Sequence, residues 1–151
     1  ILQQADNVIT MHIPPVGRMD FDAVGASIRE AMRFWKMYFP ERSYKAFICH
    51  SWLFDNQLSE LLPPDSNIRL FQEEVYMYPL YRSGDSGFYQ HIFGRKFDRL
   101  DDIPTNTSLL KMFVDRLRAG EQWHSGGCAL FPEDFDWGAK VYRRGRALYP
   151  D

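Results

Sequence analysis

The sequence predicts an α/β domain, a mixed central sheet with flanking helices, and three observations carry that prediction. A β-branched, alternating run, Asn7–Ile13, is followed by a long helical pattern and then by an apolar run, Tyr44–Trp52. Strand, helix and strand in that order make a βαβ unit, whose strands run parallel because the helix carries the chain back. The third observation is bulk: 151 residues, 45% hydrophobic and 16% aromatic, suit one packed core and argue against disorder.

In the first run Val8, Thr10 and His12 share one side, and Ile9, Met11 and Ile13 the other. Pro14-Pro15 end it, because proline brings no N–H to a ladder. Asp20 or Asp22 can cap the helix, with Phe21, Val24, Ile28, Met32, Trp35 and Phe39 spaced along one face and Pro40 as the stop. Tyr44–Trp52 is apolar on both sides, which predicts a central strand. Asp55 can cap a short helix reaching Leu62, before Pro63-Pro64. Asp65 or Ser66 can open another turn or two, with Ile68 and Phe71 inward and Glu73 and Glu74 outward. Val75–Leu80 reads as strand, Asp85–Phe93 as a helix closed by Gly94, and residues 94–106 as a charged loop. Thr107 or Ser108 starts an amphipathic helix with Leu109, Leu110, Phe113, Val114 and Leu117 inward, ended by Gly120. Trp123–Phe131 is a late strand whose Gly126-Gly127 pair marks a bulge or a close backbone approach. Residues 132–151 read as a surface-packed tail anchored by Phe135, Trp137, Tyr142 and Tyr149, so that 1–151 form a single domain.

A formal charge of −2 and a pI near 6.1 speak against nucleic acid, whose binders need a basic excess. The basic cluster Lys140, Arg143, Arg144 and Arg146 follows acidic Glu133, Asp134 and Asp136 and reads as solvated tail. No apolar run reaches the roughly 18 residues of a membrane span. Two distant cysteines, Cys49 and Cys128, make no disulfide framework and predict buried free thiols. A soluble, cytoplasmic protein is expected. The chain begins at Ile1 with no initiator methionine and no signal-peptide pattern, which suggests part of a longer protein lacking its N-terminal domain.

The residues with most chemical promise are Cys49-His50-Ser51-Trp52, where a strand delivers a thiol, an imidazole, a hydroxyl and an indole to its carboxyl end. Neighbours on a strand point to opposite faces, so Cys49 and His50 cannot work as a pair. A Cys–His hydrolase would need another histidine, for which His124 is available, although a buried structural Cys49 is the simpler expectation. His50 can act as an acid or base near neutral pH, or sit bonded to backbone. Ser51 can react or satisfy a local backbone group. Histidines 12, 50, 91 and 124 show no metal-ligand spacing, and no metal is expected. Glu73-Glu74 could supply a carboxylate general base, although a solvated charged face is the commoner reading of such a pair. The loop Ile13–Asp20 leads into a helix N-terminus, where amides and dipole favour an anion, with Gly17 allowing close approach and Arg18 reaching a phosphate.

From His12 to Gln72, through HIPPVGRMDFDAVGASIREAMRFWKMYFPERSYKAFICHSWLFDNQLSELLPPDSNIRLFQ, the chain resembles the C-terminal domain of bacterial GNAT-like acyltransferases; the likeness is looser from Val75 to Phe131. It implies transfer of an acyl group from acetyl-CoA or another acyl-CoA to an amine or similar small-molecule acceptor. The first strand and its loop, Met11, Ile13, Gly17 and Arg18, would hold the pantetheine arm and pyrophosphate, with Met11 to Arg18 in the family's place. Two central strands would part to admit the thioester, with His50 and Ser51 beside it as catalytic candidates. The glycine-rich phosphate loop of the family is absent, since Pro14-Pro15 stand there and only Gly17 remains. No tyrosine lies between Trp52 and Leu70, so Cys49, Ser51 or Tyr76 would supply the proton for the leaving thiolate. A GNAT-derived module that binds a ligand or partner without catalysis is the alternative implied by these departures.

Overall fold

Asp20 opens the long helix as its sequence position requires: its carboxylate accepts from Ala23 N–H at 2.9 Å, ahead of α1 (Phe21–Tyr38). The computed structural model describes residues 2–14, 19–80, 92–95 and 97–144, with only the backbone of 143 and 144. Helix α1 joins β1 (Val8–Thr10) to β2 (Ala46–Ser51), and the two strands pair in parallel. After β2 come a 3-10 turn (Trp52–Phe54), α2 (Leu58–Leu61), α3 (Asn67–Glu73) and β3 (Tyr76–Pro79). Then follow α4 (Ser108–Arg118), β4 (Gly126–Leu130) and α5 (Val141–Arg144). Thr107 caps α4 by accepting from Leu110 N–H, and Gly120 ends it at φ 80.

The four-stranded sheet has the order β1-β2-β4-β3, with β4 antiparallel to both neighbours. The mixed α/β sheet with a central β2 expected from the sequence is therefore present. Alternate residues Phe47 and Cys49 of β2 and Cys128 and Leu130 of β4 pack with Ile28 of α1 and Phe71 of α3 into one core. A second core, Leu58, Phe113 and Trp123 with Trp52 against it, lies beyond the carboxyl end of β2. On the other face of the sheet Val8, Thr10, His50 and Tyr76 are exposed, and Ile48 and Tyr78 half-buried.

Two local expectations change, and one pair of alternatives is decided. Glu73 and Glu74 are buried, at 6% and 5% exposure, not solvated. Glu74 accepts from the N–H groups of Gly138 and Lys140, and Glu73 lies 2.5 Å from Lys140 Nζ and 3.7 Å from Arg69 Nε, so the segment after β4, with Arg69 of α3, compensates both carboxylates. Gly126-Gly127 makes no bulge, because the register with β2 runs without a skip; it is a close approach. A Cβ on Gly126 would stand 2.0 Å from the carbonyl oxygen of Phe54. Asp55 is not the cap of α2, whose N-cap is Gln57; from a buried position its carboxylate accepts from Gln57 N–H and, across the sheet end, from His124 N–H at 2.8 Å. Of the helix expected at Asp85–Phe93, residues 85–91 lie outside the described residues; Ile92 and Phe93 are helical, and Gly94 follows at φ 75. Tyr149 and Arg146 also lie outside them. Trp137 packs on α1 where Gly25 leaves room, since a Cβ there would meet its ring at 2.3 Å, and its indole donates to Phe21 C=O.

Candidate functional site

The site is built where β1 leaves β2. Their register is Val8↔Ala46, Ile9↔Phe47 and Thr10↔Ile48, with one more rung from Met11 N–H to Ile48 C=O at 2.7 Å. There the pairing ends, while β2 continues through Cys49, His50 and Ser51 against β4 alone. Backbone groups of a strand alternate in direction, so the N–H and C=O of His50 face the same edge as those of Ile48. The next rung, His50 N–H to Met11 C=O, is not made among the described residues. The N–H of His50 thus lies on the β1 edge of β2, one step beyond the last rung between the two strands.

The side chain of His50 stands on the open face of the sheet. Its Nε2 lies 2.9 Å from the Tyr78 hydroxyl, and the rings meet edge to face with centroids 5.9 Å apart. Register explains how residues two strands apart, roughly 10 Å by strand spacing, can touch. His50 and Tyr78 are both directly opposite Gly127, on the same face. Gly127 has no side chain, and the Tyr78 ring occupies the space: a Cβ at that position would stand 2.3 Å from it. Burial, with the nearby Cys128 and Cys49 adding to it, pushes the Tyr78 phenol above its ordinary value, so the hydroxyl keeps its proton at neutral pH.

The other sequence candidates scatter. Ser51 accepts from Leu53 N–H at 3.2 Å and caps the 3-10 turn, on the face opposite His50. Cys49 faces the core at 4% exposure, and burial pushes its thiol up. Cys128, directly across the ladder, is pushed up further by burial and by Cys49. Neither is in a disulfide, as expected, and a thiol held protonated in an apolar core counts against the hydrolase reading. His124 is exposed and lines a cavity of about 320 Å³ with Phe54, Asn56, Met77, Tyr78 and Leu80. Met11 spends its N–H on β2 and packs its side chain against the core, whereas Ile13 is 36% exposed. Gly17 and Arg18 lie outside the described residues. Beyond them Asn67 Nδ2 donates to Met19 C=O at 2.5 Å, tying the start of α3 to the entry of α1.

Tyr76, named from sequence as a proton source, is 56% exposed and packs on Tyr142 with centroids 6.2 Å apart. Sequence reasoning passed over Tyr78. The signal available was the glycine pair, which announces a close approach but not what approaches. No group of three or more histidine, cysteine, aspartate or glutamate residues placed to hold a metal occurs among the described residues. Among them, too, no helix is long and apolar enough to cross a membrane.

Comparison with known proteins adds three findings. A family model described as the GNAT-like C-terminal domain matches residues 1–130. No curated protein matches the chain. Among solved structures, an acyltransferase in complex with decanoyl-CoA is similar, with a TM-score of 0.77 and 29% identity over 87% of this chain and 42% of that one. An acyltransferase in complex with CoA and 10C-teicoplanin gives 0.73 and 26%, over 81% and 40%. One in complex with decanoyl-CoA and teicoplanin gives 0.72 and 28%, over 81% and 40%. The chain thus spans about two fifths of the length of the solved acyltransferases it matches.

Proposed function

The chain belongs to the family of GNAT-like C-terminal domains, and from that premise we propose that it serves an acyl-CoA-dependent acyltransferase, moving an acyl group from the thioester to an amine or hydroxyl acceptor. The observation that carries this reading is the end of β1–β2 pairing at Met11 and Ile48, with no rung from His50 N–H to Met11 C=O, which we read as a gap that this N–H faces. A thioester carbonyl laid in that gap would accept this N–H as its oxygen gains charge. The imidazole of the same residue would take the proton of the attacking acceptor. The C–S bond then breaks, the thiolate of coenzyme A takes up the proton held by the His50 imidazolium and leaves as the thiol, and the acyl group stays on the acceptor. Most of the rate would come from holding the two reactants together.

Ser51 takes a supporting part, fixing the turn that ends β2. The arm of coenzyme A is assigned to the stretch from Met11 through Ile13 to Gly17 and Arg18. Its grip on phosphate must differ from a glycine-rich loop, because Pro14 offers no amide. The open sheet face, with Val8 and Thr10 on its edge strand, is assigned to the N-terminal portion of the same protein, consistent with similar acyltransferases more than twice as long. A cytoplasmic setting, in which both thiols stay reduced, completes the reading.

Calorimetric titration of the full-length protein with acetyl-, octanoyl- and decanoyl-CoA tests it. Saturable heat with at least one is expected; silence across all three overturns the proposal. Acyl-CoA binding with no transfer to any amine or hydroxyl acceptor would favour the second reading, a binding module without catalysis, which the two prolines of the phosphate loop support.

A further inference from the structure

The chemistry proposed for His50 leaves a question of aim. Its imidazole stands on the exposed face of the sheet, where an untethered ring samples several rotamers and both neutral tautomers. A base that must meet one proton in one place gains from having its second nitrogen tied, because the tie sets both ring angle and tautomer. Tyr78 is the group in position to do this, and three features of the fold place it there. Strand β4 inserts between β2 and β3, so His50 and Tyr78 share one cross-strand partner. That partner is Gly127, and any side chain there would push the Tyr78 ring away. The phenol meets Nε2, at 2.9 Å, which leaves Nδ1 as the nitrogen free for a substrate.

We propose that Tyr78 is a positioning residue for acyl transfer: its oxygen accepts the Nε2 hydrogen of His50 and so presents Nδ1 as the lone pair that takes the acceptor's proton, with Gly127 as the gap that lets the two side chains meet. This rests on the reading of His50 given above. The proton balance is simple. The acceptor's hydrogen moves to Nδ1 as the new acyl bond forms, and Nε2 keeps its own hydrogen. The imidazolium is then held by a bond to Tyr78 that has become charge-assisted and stronger than it was in the neutral ring. Because that gain appears as charge develops, it lowers the barrier without tightening substrate binding. The raised phenol pKa is consistent with this role, since Tyr78 stays neutral while it accepts.

The test uses the full-length protein with Tyr78→Phe, Gly127→Ala and His50→Ala. Tyr78→Phe keeps the ring and removes the oxygen; kcat should fall about tenfold or more with the KM for acyl-CoA within about twofold. Gly127→Ala keeps the hydroxyl but displaces it, and should reproduce that split. Nitrogen-15 spectra of His50 give a readout that a merely structural tyrosine would not move. The wild-type ring should be almost wholly the Nε2–H tautomer, and Tyr78→Phe should return it to the mixture of a free imidazole. A dominant Nδ1–H tautomer in the wild type, or a Tyr78→Phe enzyme with unchanged kcat, overturns the proposal. Transfer lost in His50→Ala but intact in Tyr78→Phe removes Tyr78 alone. Transfer indifferent to both removes the reading of His50 on which it stands.

Discussion

The two faces of the central sheet are made from alternate residues of the same strands, and they have opposite characters. On one face Phe47, Cys49, Cys128 and Leu130 are sealed under α1 and α3, each at 4% exposure or less. On the other, His50 is exposed and Ile48 half-buried, while the small residues Gly127 and Ala129 lie buried beside Tyr76 and Tyr78. The sealed face holds the fold by burial and dispersion. The exposed side chains of this second face contribute little to stability, which leaves them free to serve chemistry. A strand's period of two is what allows both to be written in one segment, Phe47–Ser51.

The comparison is most directly broken by neighbouring substitutions. Phe47→Ala should cost about 3–5 kcal/mol in chemical unfolding of the domain, by loss of transfer energy and a cavity. Ile48→Ala, one residue on, should cost under about 2 kcal/mol because its side chain is half-buried. Equal losses would mean that the open face is not open in solution. The glycine pair sharpens the contrast. At Gly126 a Cβ would meet backbone, the Phe54 carbonyl, which cannot swing aside, so Gly126→Ala should destabilise by about 1–3 kcal/mol. At Gly127 it would meet a tyrosine ring that can move, so the melting temperature should change less than in Gly126→Ala.

Smaller again is Ser51→Ala. It removes the cap at the Leu53 N–H, with an expected cost of about 1 kcal/mol in the same unfolding experiment. The sealed face also makes a pH prediction. Burial pushes Cys49 and Cys128 above the ordinary thiol value of about 8.5, so the folded state binds their protons more tightly than the unfolded state does. Unfolding free energy should therefore be insensitive to these thiols below about pH 8 and decline above it, where the unfolded chain ionises first. Iodoacetamide at neutral pH should label neither thiol until the protein unfolds; prompt labelling of Cys49 would revive a nucleophilic role. The least effect is expected on the open face, where Tyr76→Ser in the isolated domain should shift stability by no more than about 0.5 kcal/mol.

Much of this was legible residue by residue. Asp20, Thr107 and Gly120 mark helix ends by local hydrogen bonding and backbone preference, and the structure uses each in that role. The inward stripe of α1 was read correctly, but only Ile28 of it is sealed, and Phe34, Met37 and Tyr38 remain exposed near its end. Glu73 and Glu74 misled because, apart from Arg69 one turn before Glu73, their partners at residues 138 and 140 are far along the chain, and an acidic pair looks the same whether water or a distant amide satisfies it. Ser51 accepts from a local backbone N–H and Cys49 faces the core, the placements that the simpler expectation for each had named.

What the sequence determined by itself was the parallel β1–β2 pair joined by α1, the capped helix α4, the late strand β4 and the strand end that carries His50, all of them consequences of local periodicity and capping. The short helix Val141–Arg144, in a tail read as coil, was not among them. Strand order was decided only in three dimensions. Inserting β4 between β2 and β3 buries the Cys128 and Leu130 face, and that same choice sets Gly127 between His50 and Tyr78. Contacts between residues 50, 78 and 127 leave no periodic trace in the chain, because register is fixed by the total burial of whole strands and not by any one residue's neighbours.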